Sequence, residues 1–301
     1  MIGLAIGDAL GAPVETMAAG TFPPITGFRA GGYFRLPAGA WTDDTAMALC
    51  LADSLSDANG FDAADLLQRF CRWAEFAENT STGVCIGAGK NTLRALGHFR
   101  RSGDLSAPRF GKHSDGNGAL MRLAPVAIRF FDRPDLARNV AILQSRTTHA
   151  SELSSACCAF AADLMARMIS GQSWSDSLDA ATRLSSRVVQ DCVLAARDKN
   201  PPPCSGYVMD TLHAALWAVA HSTAFDEAVL SAVNLGGDAD TIGAVTGQIA
   251  GARWGFHAIP LKWRTTLIMA DKVLAAIEKL IATHTTRPLH NTVPSQVTPL
   301  P

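Results

Sequence analysis

Trp41-Thr42-Asp43-Asp44-Thr45 and, far downstream, Gly236-Gly237-Asp238-Ala239-Asp240-Thr241 decide how this chain is read. Each is a short cluster of carboxylates and hydroxyls opening an apolar run with helical spacing. Four aspartates with Thr42 and Thr241 make a set of hard oxygen donors, which suits magnesium, manganese or calcium better than zinc or copper. Brought together, four carboxylates repel one another unless protons or cations offset them. Two divalent ions would balance the charge, and a two-metal site is the first expectation.

The rest of the composition narrows the class. The chain has 301 residues, 48% hydrophobic and 18% charged, with a formal net charge of -1. That length buries a substantial core. The near-neutral balance disfavours nucleic acid as a partner, because phosphate binding leaves a basic footprint. Seven cysteines are scattered with no C-x-x-C pair, as expected of reduced, small apolar residues in a cytoplasmic protein. No apolar stretch reaches the roughly 18 residues of a membrane span, and Met1 to Leu10 lacks the basic head of a secretion signal.

Alanine is abundant and β-branched alternation scarce, so the pattern predicts an all-α chain of about a dozen helices. Residues 1–284 are expected to form one compact multi-helix domain. Residues 285–301, with four prolines and no periodicity, are expected to be a disordered tail. Gly3, Gly7 and Gly11, and again Gly243, Gly247 and Gly251, recur every four residues. Glycine inside a helix costs about 1 kcal/mol against alanine, so these stripes predict two buried helices in close approach. Pro13 should end the first helix, Asp62 should cap another, and residues 119–131 should be helical with Pro125 marking a turn or kink. Arg100 to Gly118 reads as a long loop, a common place for function.

Further motifs complete a pattern. Gly7-Asp8-Ala9-Leu10-Gly11 with Glu15, the Trp41–Thr45 cluster, Gly116-Asn117-Gly118-Ala119-Leu120-Met121-Arg122, Thr148-His149 and the Gly236–Thr241 cluster stand in this order. Together they resemble the ADP-ribosylglycohydrolase family over about residues 1–270. The resemblance implies an all-α fold with a central cleft holding two Mg2+ or Mn2+ ions. It implies that Thr42, Asp43 and Asp44 form one half of the metal shell, and Asp238, Asp240 and Thr241 the other. Glu15 matches an acidic position near the metals, a candidate with Asp43 and Asp44 for acid–base work. Lys112, Ser114, Asp115, Gly116 and Asn117 fall in the loop that wraps the diphosphate and distal ribose. His149 matches a position facing the nucleotide, and Tyr207 is a candidate to stack on adenine.

Each residue also has a plainer reading. An Asp-Asp pair at a helix start is more often a cap than a ligand, a lone histidine before a helix is usually structural, and an aromatic at a helix start is usually core. The chemistry implied is hydrolysis of a ribose glycosidic bond through an oxocarbenium-like state, releasing ADP-ribose from a modified protein. Arginine is the expected linkage, with serine and O-acetyl-ADP-ribose as alternatives. Two other classes compete: a non-catalytic binder of ADP-ribose or of an ADP-ribosylating toxin, and a helical metal-dependent phosphohydrolase. The second would carry several histidine ligands, and only His149 has a promising context.

Overall fold

The computed structural model describes residues 1–58, 60–109 and 111–286, apart from the side chains of residues 112, 113 and 284–286. The helices in order are α1 (Ile2–Gly11), α2 (Asp43–Asp57), α3 (Ala63–Phe76), α4 (Lys90–Ser102), α5 (Ala124–Arg129), α6 (Pro134–Thr148) and α7 (Glu152–Ile169). They continue as α8 (Trp174–Arg183), α9 (Arg187–Ala195), α10 (Val208–Ala220), α11 (Phe225–Val233), α12 (Ala239–Trp254), α13 (Leu261–Thr266) and α14 (Ala270–Thr286). Strand pairing among the described residues is limited to isolated bridges, so the fold is all-α as expected. The last helix runs through Thr286, two residues past the boundary expected at 284; residues 287–301 lie outside the described residues.

At the centre, every residue of α1 is buried, as is α12 from Ala239 to Ala250. A helix buried on all sides needs small residues where it meets another helix, and the glycine stripes supply them. A Cβ placed on Gly3, Gly7 or Gly11 would run into the main-chain oxygen of Gly247, Gly243 or Ala239 respectively. The two stripes therefore pack on each other. The α12 side of the crossing is Ala239, Gly243 and Gly247. Gly251 is at its margin, with only the Gly3 Cα, at 3.9 Å, within reach of a Cβ.

Pro13 ends α1 as expected, turning it into a short 3-10 segment, Ala12–Val14. Asp62 caps α3 by accepting from the amides of Ala64 and Asp65. One expectation is corrected. Residues 118–122 form turns rather than helix, and α5 spans only Ala124–Arg129 with Pro125 in its first turn. Proline lacks the N–H that a first-turn residue does not use, so it starts this helix instead of kinking a longer one. The long loop is also shorter than expected, because α4 continues to Ser102 and stops at Gly103 in a left-handed cap.

Candidate metal centre and substrate cleft

The two acidic clusters are distant in sequence and adjacent in space, because α2 and α12 point their N-termini at the same place. Their local construction differs. The α2 cluster is organised by Asp8, a fully buried acid on α1. Its carboxylate accepts from the Thr42 amide at 2.9 Å, the Thr42 hydroxyl at 2.9 Å, the Thr45 amide at 3.0 Å and the Thr45 hydroxyl at 2.6 Å. Thr42 makes no capping hydrogen bond with its own side chain. Asp8, from another helix, satisfies the free N–H groups at the start of α2, where the helix dipole also favours an anion. Asp8 had no role assigned from sequence; the one available signal was an acid inside an apolar glycine stripe.

The α12 cluster is built by a turn. Gly236 and Gly237 both have positive φ, 70° and 66°, which side-chain-bearing residues rarely adopt. A Cβ on Gly237 would strike the Cys204 carbonyl, and one on Gly236 would strike that of Met17. The turn is stitched to the segment after α1: the Thr16 amide donates to Gly237 O at 2.7 Å and the Gly237 amide to Met17 O at 2.8 Å. These bonds hold Glu15 over the turn. Carboxylate oxygens of Glu15, Asp238 and Asp240 all lie within 4.8 Å of one another.

Burial and mutual repulsion set the electrostatics. Burial first, then Asp238 and Asp8, raise Glu15 from 4.5 to about 7. Asp8 is raised to about 6 by burial, against the pull of its hydrogen bonds. Asp43 and Asp44 lie well above the usual carboxylate range, from burial and then the charge of Asp8. Asp240 does too, from burial and then Asp44 and Asp238. No arginine or lysine forms an ion pair with any of these acids among the described residues. Two of their buried oxygens, Glu15 Oε2 and Asp44 Oδ1, lack any hydrogen-bond partner. Hard-oxygen donors with orphaned lone pairs and no counter-charge fit divalent cations.

Above the acids opens a cavity of about 580 Å3 with Glu15, Asp43, Asp238, Asp240 and Thr241 on its floor. Asp44 and Thr42 sit beneath that floor, 1% and 2% exposed, and the Thr42 hydroxyl lies 3.3 Å from Asp44 Oδ2. One wall is the loop before α5, held from three sides. Ser151 donates to Asp115, Ser154 donates to Gly116 O at 3.0 Å, and the Val208 amide donates to Asp115 O at 3.0 Å. Asn117 uses both amide hydrogens, one to Thr211 Oγ1 at 2.9 Å and one to Asp238 Oδ2 at 2.7 Å. Gly116, Asn117 and His149 line the cavity, whereas Ser114 and Asp115 stand behind it. The Lys112 side chain lies outside the described residues. Tyr207 bridges Gly116 at the cavity edge and is 42% exposed, so it is not the core aromatic of the plainer reading; it is not on the cavity lining either.

A second wall was not foreseen. The turn at Gly87 and the first turns of α4, with Lys90, Asn91 and Arg94, face the cavity. A side chain at Gly87 would collide with the Asp43 carboxylate, so that glycine admits the acid to its place. No sequence motif pointed to this stretch.

Comparison with known proteins agrees with this construction. The sequence model of the ADP-ribosylglycohydrolase family matches residues 1–289. ADP-ribosylarginine hydrolase Tri1 of Serratia proteamaculans (strain 568) is 38% identical over 285 residues, covering 93% of this chain and 77% of its own. ADP-ribosyl-[dinitrogen reductase] glycohydrolase of Rhodospirillum rubrum is 33% identical, covering 89% of this chain and 88% of its own. A solved structure titled ADP-ribosylglycohydrolase-related protein complex superposes with a TM-score of 0.82 at 38% identity, covering 94% of this chain and 95% of that one. With the fold, the motif order and these relatives in agreement, the chain belongs to the ADP-ribosylglycohydrolase family of hydrolases.

Proposed function

We propose that this enzyme removes ADP-ribose from modified proteins by cutting the N-glycosidic bond to arginine, with two Mg2+ or Mn2+ ions as cofactors. The observation carrying the reading is the convergence of uncompensated acids on the floor of a cavity, with orphaned oxygens at Glu15 and Asp44. Relatives named as ADP-ribosylarginine hydrolases support the linkage. Thr42, Asp43, Asp44, Asp238, Asp240 and Thr241 would hold the ions. Bound there, divalent ions supply the charge that offsets the carboxylates and a Lewis-acid hold on sugar hydroxyls.

The chain's own residues account for the rest. As the glycosidic bond breaks, positive charge develops on the ribose, and the buried carboxylates around it stabilise that charge. Glu15, raised to about 7 by burial and then by Asp238 and Asp8 while no cation offsets them, lies on the cavity floor beside those acids. It is therefore placed to take a proton from water or give one to the departing guanidine. Gly116 and His149 would meet the diphosphate and distal ribose, whereas Asn117, its N–H groups already given to Thr211, Asp238 and Gly206, ties that loop to the acids; Ser114 and Asp115 brace the loop, and Lys112 belongs to it. Tyr207 at the rim is the candidate for the adenine face. Seven unpaired cysteines support a reducing, cytoplasmic setting. No helix among the described residues is long and apolar enough to cross a membrane.

The decisive experiment is a mass-spectrometric assay of the purified protein on arginine- and serine-linked ADP-ribosyl peptides, in Mg2+, in Mn2+ and with chelator. Release of ADP-ribose from the arginine peptide, abolished by chelator, is the expected result. Unchanged turnover in chelator, or binding without release, would overturn the reading.

A further inference from the structure

Arg122 is fully buried and makes no ion pair with a carboxylate among the described residues, a costly arrangement that calls for a reason. Its guanidinium sits over the Phe70 ring at 4.6 Å and donates from Nε to Gln144 Oε1 at 2.9 Å. Its remaining contacts include Gln144 O at 3.1 Å and Thr148 Oγ1 at 2.8 Å. The Thr148 hydroxyl in turn lies 2.8 Å from His149 Nδ1. A hydroxyl has one hydrogen to give and lone pairs to receive with, and a guanidinium only donates. With Arg122 already donating to Thr148 Oγ1, the hydroxyl hydrogen has one acceptor among the described residues, His149 Nδ1. That nitrogen is then unprotonated.

We infer that Arg122 and Thr148 are positioning residues that fix His149 in its Nε2–H tautomer, so that it offers the cavity a single donor and no acceptor. Burial and then the charge of Arg122 lower the imidazole to about 3, which keeps it neutral and leaves its one proton on Nε2. The placement of that edge is constrained as well. A Cβ on Gly116 would come within 3.2 Å of His149 Nε2, and one on Gly118 within 2.9 Å of its Cε1. The two glycines let the ring lie flush against the loop that lines the cavity. A ligand atom at this point must be an acceptor, such as a hydroxyl, carbonyl or phosphate oxygen, and a donor group meets an N–H instead. The consequence for binding rests on the proposed function; the tautomer does not.

The test uses protein labelled with 15N-histidine, with the His149 signals assigned by their absence in His149→Gln. Long-range proton–nitrogen correlations should show a pyridine-type Nδ1, shifted by its hydrogen bond, and a pyrrole-type Nε2. Thr148→Val should move Nδ1 toward the unbonded value, while Thr148→Ser should retain the wild-type shift. A protonated Nδ1 in the wild type, or an Nδ1 shift indifferent to Thr148→Val, would overturn the inference. On ADP-ribosyl-arginine peptide, Thr148→Val should raise KM about five- to tenfold with kcat nearly unchanged, and Thr148→Ser should restore it. A wild-type protein that fails to hydrolyse the peptide would overturn the proposed function alone, because the nitrogen shifts decide the tautomer without turnover.

Discussion

Asp163 on α7 and Asp240 on α12 are both buried carboxylates, 0% and 3% exposed, and the fold treats them in opposite ways. Asp163 receives two guanidinium groups, Arg138 at 3.2 Å and Arg167 at 2.7 Å, whose side chains are 23% and 20% exposed. Among the described residues Asp240 receives the amide of Thr241 and no guanidinium, and it faces Asp44, Asp238 and Glu15. The same chain therefore neutralises a buried acid with arginine where the acid is structural, and among the described residues pairs no arginine or lysine with the acids of the cleft floor. A cluster so arranged is poised for a charge that comes from outside.

The comparison breaks most sharply at Asp240 and Asp44. Asp240→Asn and Asp44→Asn should each lower ADP-ribose release by about a thousandfold or more, while circular dichroism stays helical. In chelator the same variants should melt higher than wild type, because each removes a like charge from an uncompensated group. Asp163→Ala should do the reverse. It strands two arginines and costs about 3 kcal/mol, with activity per folded molecule unchanged. If Asp240→Asn destabilised the chelated protein as much as Asp163→Ala does, the two acids would be equivalent and the contrast would fail.

pH sharpens the same point. In the folded protein Asp8 is raised to about 6 and Glu15 to about 7, with Asp43, Asp44 and Asp240 shifted in the same direction. A group whose folded pKa exceeds its unfolded value stabilises the fold below the unfolded pKa, and that contribution is lost as pH rises through the folded pKa. The chelated protein should therefore lose roughly 5–10 °C of melting temperature between pH 5 and 8. Mn2+ should flatten the profile by binding the ionised, folded form. A chelated protein that grew more stable across that range would contradict it.

How much of this was legible in the sequence follows from what acts locally. The two clusters could be read because hard donors at helix starts are a local pattern, and the glycine stripes because period four is one too. Asp8 was quoted in its motif, yet its capping of α2 could not be seen, since it joins segments that only the fold brings together. Gly87 and the α4 wall were missed for the same reason: a glycine whose task is to leave room for Asp43 looks like any other helix break. Tyr207 escaped the plainer reading because the Gly116 bridge holds it at the rim, where propensity alone would bury it. The shortened α5 shows Pro125 acting by position, starting a helix where its effect inside one had been considered.

The smallest expected effect concerns Asn117, which is the neutral counterpart of the Asp163 arginines. Its amide gives one hydrogen to Asp238 Oδ2 at 2.7 Å and one to Thr211 Oγ1 at 2.9 Å, so it orients Asp238 without neutralising it. A neutral hydrogen bond contributes about 1 kcal/mol net, well short of what a guanidinium offers a buried carboxylate. Asn117→Ala should therefore cost about 1 kcal/mol of stability and lower activity on the order of tenfold, in the range typical of groups that orient a metal ligand. Titration calorimetry with Mn2+ should show weaker binding with the stoichiometry retained. A loss of activity as complete as that of Asp240→Asn would mean that Asn117 meets the reacting sugar itself, and the line between the acids of the floor and the residues that aim them would have to be redrawn.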